Sequence, residues 1–452
     1  MPEKMEHDST HLRLSELNEA LDSGMFVHVK RMLYQTPPCD IALLLESSPP
    51  AGRKVLWRLT DAEMQGEILD ELNEDAKTSI LKLMDTESLV AATEGLDTDD
   101  LANILRSLPD SIYQEVITQM DTQDRHRLET AMAYPEDTAG SIMNTDTITL
   151  RPDVTVDVIL RYIRLRGELP EATDTLYVVD KDDRLMGDVP LSMLLTTDPN
   201  SVINTIMDRQ AETLPANMDT SEVAKLFERH DWISAPVIDD SGKLLGRITI
   251  DDVVDIIREN AEHDMMGLAG MDDDEDTFAP VLQSTKRRTL WLGVNLIAAL
   301  TAASVSNMFE ATLEQLATLA ILMTIVPSMG GIAGNQTLAL VIRGMAVGHI
   351  SDDNSRWLIG KEATVGALNG AIWAISIAII VSLWKGDPSL GMIIGGAMFI
   401  NMAMGGLAGV VIPLVMKKYN IDPALAGGMA LTTVTDVIGL FAFLGMATLV
   451  YG

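Results

Sequence analysis

The sequence predicts a multi-domain integral membrane protein: an α-helical N domain, an α/β tandem repeat, a connecting helix and a five-helix transmembrane domain. Three observations carry this expectation. Charge is segregated, with 24 Lys+Arg and 58 Asp+Glu before residue 286 against 9 and 8 after it. Five apolar stretches, each at least about the 20 residues that cross a bilayer, occupy the C-terminal third. A β-α-β-β pattern occurs twice between residues 142 and 246, its landmarks offset by 59 to 64 residues. The expected bounds are 1–135 for the N domain, 136–258 for the tandem repeat, 259–285 for the connecting helix and 286–452 for the membrane domain.

Composition removes several function classes. A formal net charge of −33 over 452 residues excludes a nucleic-acid partner. The lone Cys39 permits neither an intramolecular disulfide nor a thiolate zinc cluster, and none of the seven histidines stands in an HExxH pattern, which speaks against zinc hydrolase chemistry. There is no GxxxxGK[ST] and no GxGxxG, and nothing else points to an enzyme. The opening MPEKMEHDST lacks an apolar run, so the chain is expected to start in the cytosol.

Residues 10–135 place apolar side chains three and four apart, as in LDTDDLANILRSLP, between acidic turns. That spacing builds a stack of short amphipathic helices, a scaffold rather than a catalytic site. From Gly140 to about Asp264 the period changes. Ile142-Met143, a helix, TLYVVD and RLMG are followed by Ile206-Met207, a helix, SAPVIDD and KLLG. Each copy reads as a β-α-β-β-α unit with a glycine turn, and two such units bury their sheets against each other. The copies resemble a tandem pair of cystathionine-β-synthase (CBS) regulatory domains, which commonly sense adenine nucleotides or cations. Thr249 and Asp251 match the ribose-binding pattern of that module.

The repeat runs into IDDVVDIIRENAEHDMMGLAGMDDDEDTF. On a helix, Asp251, Asp255, Glu259 and Glu262 fall within 80° of one another, from 3.6 residues per turn. They form one carboxylate stripe abutting the membrane domain, with no lysine four residues away. Neighbouring carboxylates about 6 Å apart repel by roughly 3 kcal/mol at an effective dielectric near 20, which a divalent cation relieves. A solvated helix face is the other reading of the same stripe.

The five spans are expected at roughly 289–309, 315–347, 358–384, 390–416 and 424–451. Lys286, Arg287, Arg288, Arg343, Arg356, Lys361, Lys417 and Lys418 flank one side and only Lys385 the other, which sets the N-terminus inside and the C-terminus outside. Gly391, Gly395, Gly396, Gly405, Gly406 and Gly409 allow close helix packing. In the second span Pro327, Gly330, Gly331, Gly334, Asn335 and Gln336 suggest a broken, site-lining helix. Asp436 lies in GGMALTTVTDVIGLFAFLG with apolar neighbours and no basic residue at its depth. Such a carboxylate marks an ion pathway, and Gly428, Thr432 and Asp436 share one face at i, i+4 and i+8.

With these residues in view, the chain resembles the MgtE family of bacterial magnesium channels over nearly its whole length. The local matches are YPEDTAG from Tyr134 to Gly140, the Gly330 to Gln336 segment with Arg343-Gly344, and Asp422-Pro423 through Asp436. The resemblance implies a homodimer in the bacterial inner membrane with a pore between its subunits. It implies a hydrated Mg²⁺ held by Asp436, and closure by cytoplasmic Mg²⁺ bridging the N domain, CBS pair and plug helix, with Asp99 and Asp422 among the ligands. ATP or another adenine nucleotide is a further expected ligand of the CBS pair. The chain departs from the family pattern at Ile332, where relatives carry Asn, at Ser192 and Met193, where nucleotide-binding relatives carry Arg-Asp, and at Asn103, where a second acid often follows Asp99. The expectation is thus a Mg²⁺-selective channel in a lipid membrane. A proton- or sodium-coupled divalent transporter and a non-transporting nucleotide-sensing receptor are the alternatives.

Overall fold

The computed structural model describes residues 23 and 25–451, apart from 94–95, 97, 107, 109, 121, 168, 171, 272–276 and 420. The extreme N-terminus, with His7 and His11, and most of the acidic run after Met271 lie outside the described residues. Contacts divide the chain into two units, one running to Arg258 and taking in 274–280, the other made of 259–273 and 281 onward.

In the first unit, short helices from Phe26–Leu33 to Thr122–Met132 stack as the leucine spacing predicts. Their starts follow local chemistry. Pro38 and Pro50 occupy first helical positions, where a missing N–H costs nothing, and the Asn73 side chain accepts from Ala76 N at 2.9 Å. Leu45, Leu56, Ile68, Leu69, Ile80, Ile104 and Leu128 close the core; each such side chain contributes about 1.5–3 kcal/mol on burial. Arg53 is buried as well, because its guanidinium donates to Leu45 O at 2.9 Å and Glu46 O at 3.4 Å, carbonyls of the last turn of helix Pro38–Glu46.

The tandem repeat forms two three-stranded sheets of identical topology. In the first, β1 (Thr149–Leu150) runs parallel to β2 (Thr175–Val179), which pairs antiparallel with β3 (Leu185–Pro190). In the second, β4 (Leu214–Pro215), β5 (Ser234–Ile238) and β6 (Leu244–Thr249) repeat the arrangement, down to a register shift at the same point of the middle strand. The glycines that mark the repeat are not the turns. Gly187 lies opposite Val178 within β3 and Gly246 opposite Val237 within β6. A Cβ on Gly187 would sit 2.1 Å from Asp208 O, and one on Gly246 2.5 Å from Asn144 O. Glycine is required there because a neighbouring backbone approaches the strand. The turns themselves use Asp183 (φ 60°) and Gly242 (φ 82°). Between the copies, Tyr177 Oη and Ser234 Oγ share a hydrogen bond of 3.0 Å, and Ser234 Oγ donates to Asp174 Oδ1 at 2.5 Å. Helix Ile250–Leu268 follows β6 directly.

Among its described residues the second unit holds five helices long and apolar enough to cross a membrane: Val281–Asn307, Ala317–Ala346, Asp353–Lys385, Pro388–Lys418 and Pro423–Tyr451. Glycines set their packing. A Cβ on Gly405 would lie 2.6 Å from Gly330 O, and one on Gly409 2.7 Å from Gly334 O, so the second and fourth spans meet backbone to backbone. Gly391 and Gly395 bring the fourth span equally close to Ala378 and Ala374 of the third. The second span breaks at Met323 and Thr324, ahead of Pro327, and then runs regularly from Ile325 to Ala346. Pro327 is the third helical residue, where its absent N–H removes no bond from the helix interior. The Gly330 to Gln336 segment is therefore an intact packing helix and not a broken one.

Candidate cation pathway and carboxylate clusters

On the fifth span, Asp436 is partly buried, Thr432 is exposed and Gly428 is half-buried, as one stripe along the helix. Thr432 Oγ1 donates to Gly428 O at 2.9 Å, so its oxygen keeps lone pairs free to accept from water. A Cβ on Gly428 would meet nothing nearer than Leu268 O at 4.0 Å. Among the described residues Asp436 has no basic partner; the ion pairs His263–Asp422 and Lys361–Glu362 do not involve it. The neighbouring second span exposes Asn335 and Gln336, and a Cβ on Gly331 would stand 3.6 Å from Thr435 Oγ1. Two amides exposed on the second span, and a hydroxyl and a carboxylate on the fifth, at hydrocarbon depth suit a hydrated cation and not lipid.

Sequence reading overlooks Glu362 in the third span. It is 3% exposed, accepts from Thr337 Oγ1 at 3.2 Å and pairs with Lys361. Its place in GKEATVG, at the start of a span, reads as an ordinary polar flank; only tertiary packing buries it.

Of the cytoplasmic stripe, Asp251, Asp255, Glu259 and Glu262 are all exposed on helix Ile250–Leu268. A base does stand beside it: Arg258 Nη2 lies 3.0 Å from Asp255 Oδ1, three residues on and not four. The carboxylate that Thr249 engages is Asp252, not Asp251, with Thr249 Oγ1 donating to Asp252 Oδ2 at 3.1 Å. Asp252 turns about 100° away from Asp251 on the helix and joins Asp99 and Asp100 of the N domain, with ligand oxygens all within 4.8 Å of one another. Burial, then the Asp251 charge, pushes Asp252 up to about 7 against the hydrogen bond from Thr249. Nearby, burial pushes Asp70 up to about 6; Lys77 opposes this, and Glu71, Asp255 and Asp251 reinforce it. Two rows of acids thus face each other within the first unit. Asn103, one helical turn after Asp99, is exposed.

Asp422 caps the fifth span, its Oδ1 accepting from Ala424 N at 2.8 Å, while its Oδ2 lies 2.8 Å from His263 Nε2. Burial raises the neighbouring Asp264 above the usual carboxylate range; His263 counters it and Asp422 adds to it.

These features define a multi-pass membrane protein with a CBS pair and clustered acids outside the spans, of the divalent cation transporter class. The family model described as divalent cation transporter matches residues 323–446, that of the MgtE intracellular N domain 36–137, and that of the CBS domain 139–198 and 203–259. The chain is 28% identical over 450 residues to the magnesium transporter MgtE of Bacillus subtilis (strain 168), covering 99% of each. It is 30% identical over 328 residues to that of Enterococcus faecalis (strain ATCC 700802 / V583), covering 73% of this chain and 72% of the relative. Among solved structures, the cytosolic domain of the Mg²⁺ channel MgtE in complex with ATP matches at 30% identity and a TM-score of 0.50, over 54% of this chain and 99% of that one. The chain belongs to the MgtE family of magnesium transporters.

Proposed function

We propose that the chain is a Mg²⁺-selective channel that admits Mg²⁺ to the cytosol and is closed by the Mg²⁺ it admits. The observation that carries the conducting role is Asp436, a carboxylate without a basic partner among the described residues, on the open side of the fifth span. Mg²⁺ sheds water reluctantly and is suited by one or two carboxylates with retained waters. Asp436 supplies the charge; Thr432, with Asn335 and Gln336 on the second span, accepts from and donates to the hydration shell. The polar open side implies a second copy across it, so a homodimer encloses the pathway. The Lys/Arg asymmetry supports an N-terminus in the cytosol and a C-terminus outside the inner membrane.

Closure is assigned to the facing acids. Mg²⁺ held among Asp99, Asp100 and Asp252 draws the N domain onto the CBS pair, and Glu259, Glu262 and Asp422 extend the sensor along the connecting helix. Reversing a gate from 1:99 to 99:1 needs about 5.5 kcal/mol of differential binding. Relieving two or three repulsions of about 3 kcal/mol each, before screening, is of that order. An adenine nucleotide is assigned to the CBS cleft beside Thr249 and Asp252, supported by the ATP-bound relative.

The test is Mg²⁺ current from purified protein in planar bilayers with no coupling gradient. Current that falls as Mg²⁺ is raised from zero to millimolar on the cytoplasmic side is the expected result. Uptake that requires a proton or sodium gradient would make the protein a coupled transporter instead.

A further inference from the structure

Asn401, in the middle of the fourth span, is 0% exposed. Its Nδ2 donates to Val326 O at 2.8 Å, in the first turn of the second span's main helix. Among the described residues no donor reaches its Oδ1. Two glycines from other spans close on the same amide. A Cβ on Gly330 would lie 2.1 Å from Nδ2, and one on Gly439 would lie 2.8 Å from it and 3.2 Å from Pro327 N. Asn401, Gly405 and Gly409 follow each other at i, i+4 and i+8, so the amide stands at the end of the seam where the second and fourth spans touch. On the fifth span, Gly439 is three residues from Asp436, less than one helical turn.

A fully buried amide with one unsatisfied acceptor is costly, and an apolar side chain of the same shape would avoid that cost. Its position explains the exception. One hydrogen bond and two glycine contacts fix the rotation of the second and fifth spans against the fourth, and those two spans carry Asn335, Gln336, Thr432 and Asp436. We propose that Asn401 is a positioning residue of the cation pathway, holding the Asp436 turn at the depth and rotation at which the carboxylate meets a hydrated divalent ion. The inference rests on Asp436 lining that pathway.

Purified full-length protein in liposomes, with dyes inside for Mg²⁺ and Co²⁺, tests it by maximal flux, half-saturating external Mg²⁺ and the Co²⁺ to Mg²⁺ flux ratio. Asn401→Leu is expected to lower Mg²⁺ flux about tenfold or more and to change both the half-saturating concentration and the ratio, since displacing a supporting group loosens ion geometry. Gly439→Ala, which pushes a methyl into the amide, is expected to shift the ratio in the same direction. Asn401→Ser, whose hydroxyl is too short to reach Val326 O, is expected to shift the ratio in the same direction as Asn401→Leu. Loss of flux only in proportion to lost folded protein, with ratio and half-saturation unchanged, overturns the proposal. Should Asn401→Leu fail to fold, an unchanged ratio and half-saturation in folded Asn401→Ser overturns it equally. Wild-type flux from Asp436→Ala would instead overturn the pathway reading itself, whatever the Asn401 variants do.

Discussion

Asp436→Ala is expected to lower Mg²⁺ uptake at least about a hundredfold while the protein still inserts, because it removes the pathway's fixed charge at depth. Asp436→Asn should be nearly as low. Uptake by a Mg²⁺-auxotrophic host, with membrane insertion checked by blotting, measures both. Asp436 is legible in sequence because an acid amid apolar residues has few structural uses. Asp252 is not, since its neighbours Asp99 and Asp100 come from about 150 residues earlier and only folding brings them together. A second residue-scale effect lies in the CBS pair, where burial, followed by the Asp208 and Asp174 charges, pushes Asp188 up to about 6. A raised carboxylate favours folding below its unfolded value of 3.8, and that contribution is lost as pH rises through about 6. Asp188→Asn should therefore raise the thermal midpoint of the cytoplasmic region at pH 8 and leave it unchanged near pH 4. Discounted for half exposure, the gain is about 1 kcal/mol, or roughly 2–4 °C, readable by circular dichroism at the two pH values.

At the scale of elements, helix Ile250–Leu268 carries its acids on two faces, one exposed and one turned to the N domain. Neutralising Asp255, Glu259 and Glu262 together should weaken inhibition by cytoplasmic Mg²⁺. The quantity to record is the shift of open probability between Mg²⁺-free and millimolar-Mg²⁺ solution; an unchanged shift leaves the stripe a solvated helix face. The glycine seam makes a different demand. Gly409→Leu forces a side chain against Gly334 O and Thr337, each within 3 Å of the Cβ position, and should abolish a monodisperse peak in detergent. The existence of these helices is readable from period and length; the second, fourth and fifth spans end within two residues of expectation, whereas the first and third begin eight and five residues earlier. What misled was meaning: Pro327 and its glycines suggested a rupture, yet proline in a first helical turn is harmless and the glycines serve a neighbouring backbone. Gly187 and Gly246 resemble turn residues for the same reason, because sequence records the missing Cβ but not what fills its place.

At the scale of the whole molecule, charge and hydropathy divide the chain between two solvents, and the Lys/Arg bias predicts its direction. With Cys39 changed to serine, since that thiol is exposed, a cysteine introduced at Gly452 should react with a membrane-impermeant maleimide added outside intact cells. Labelling only after permeabilisation would mean a different number of crossings. The separation of charge has one more effect. Residues 1–285 hold a net −34, so this part of the protein gathers its own counter-ion atmosphere from the cytosol. Potassium competes with magnesium for that atmosphere, and at physiological salt the acids feel one another over only about 8 Å. On the proposed closure by Mg²⁺, the threshold is therefore expected to follow divalent activity relative to monovalent salt and not magnesium alone. A cell dehydrated by osmotic stress, with its potassium concentrated, is expected to need more free magnesium to shut the same gate, and one swollen in dilute medium to need less.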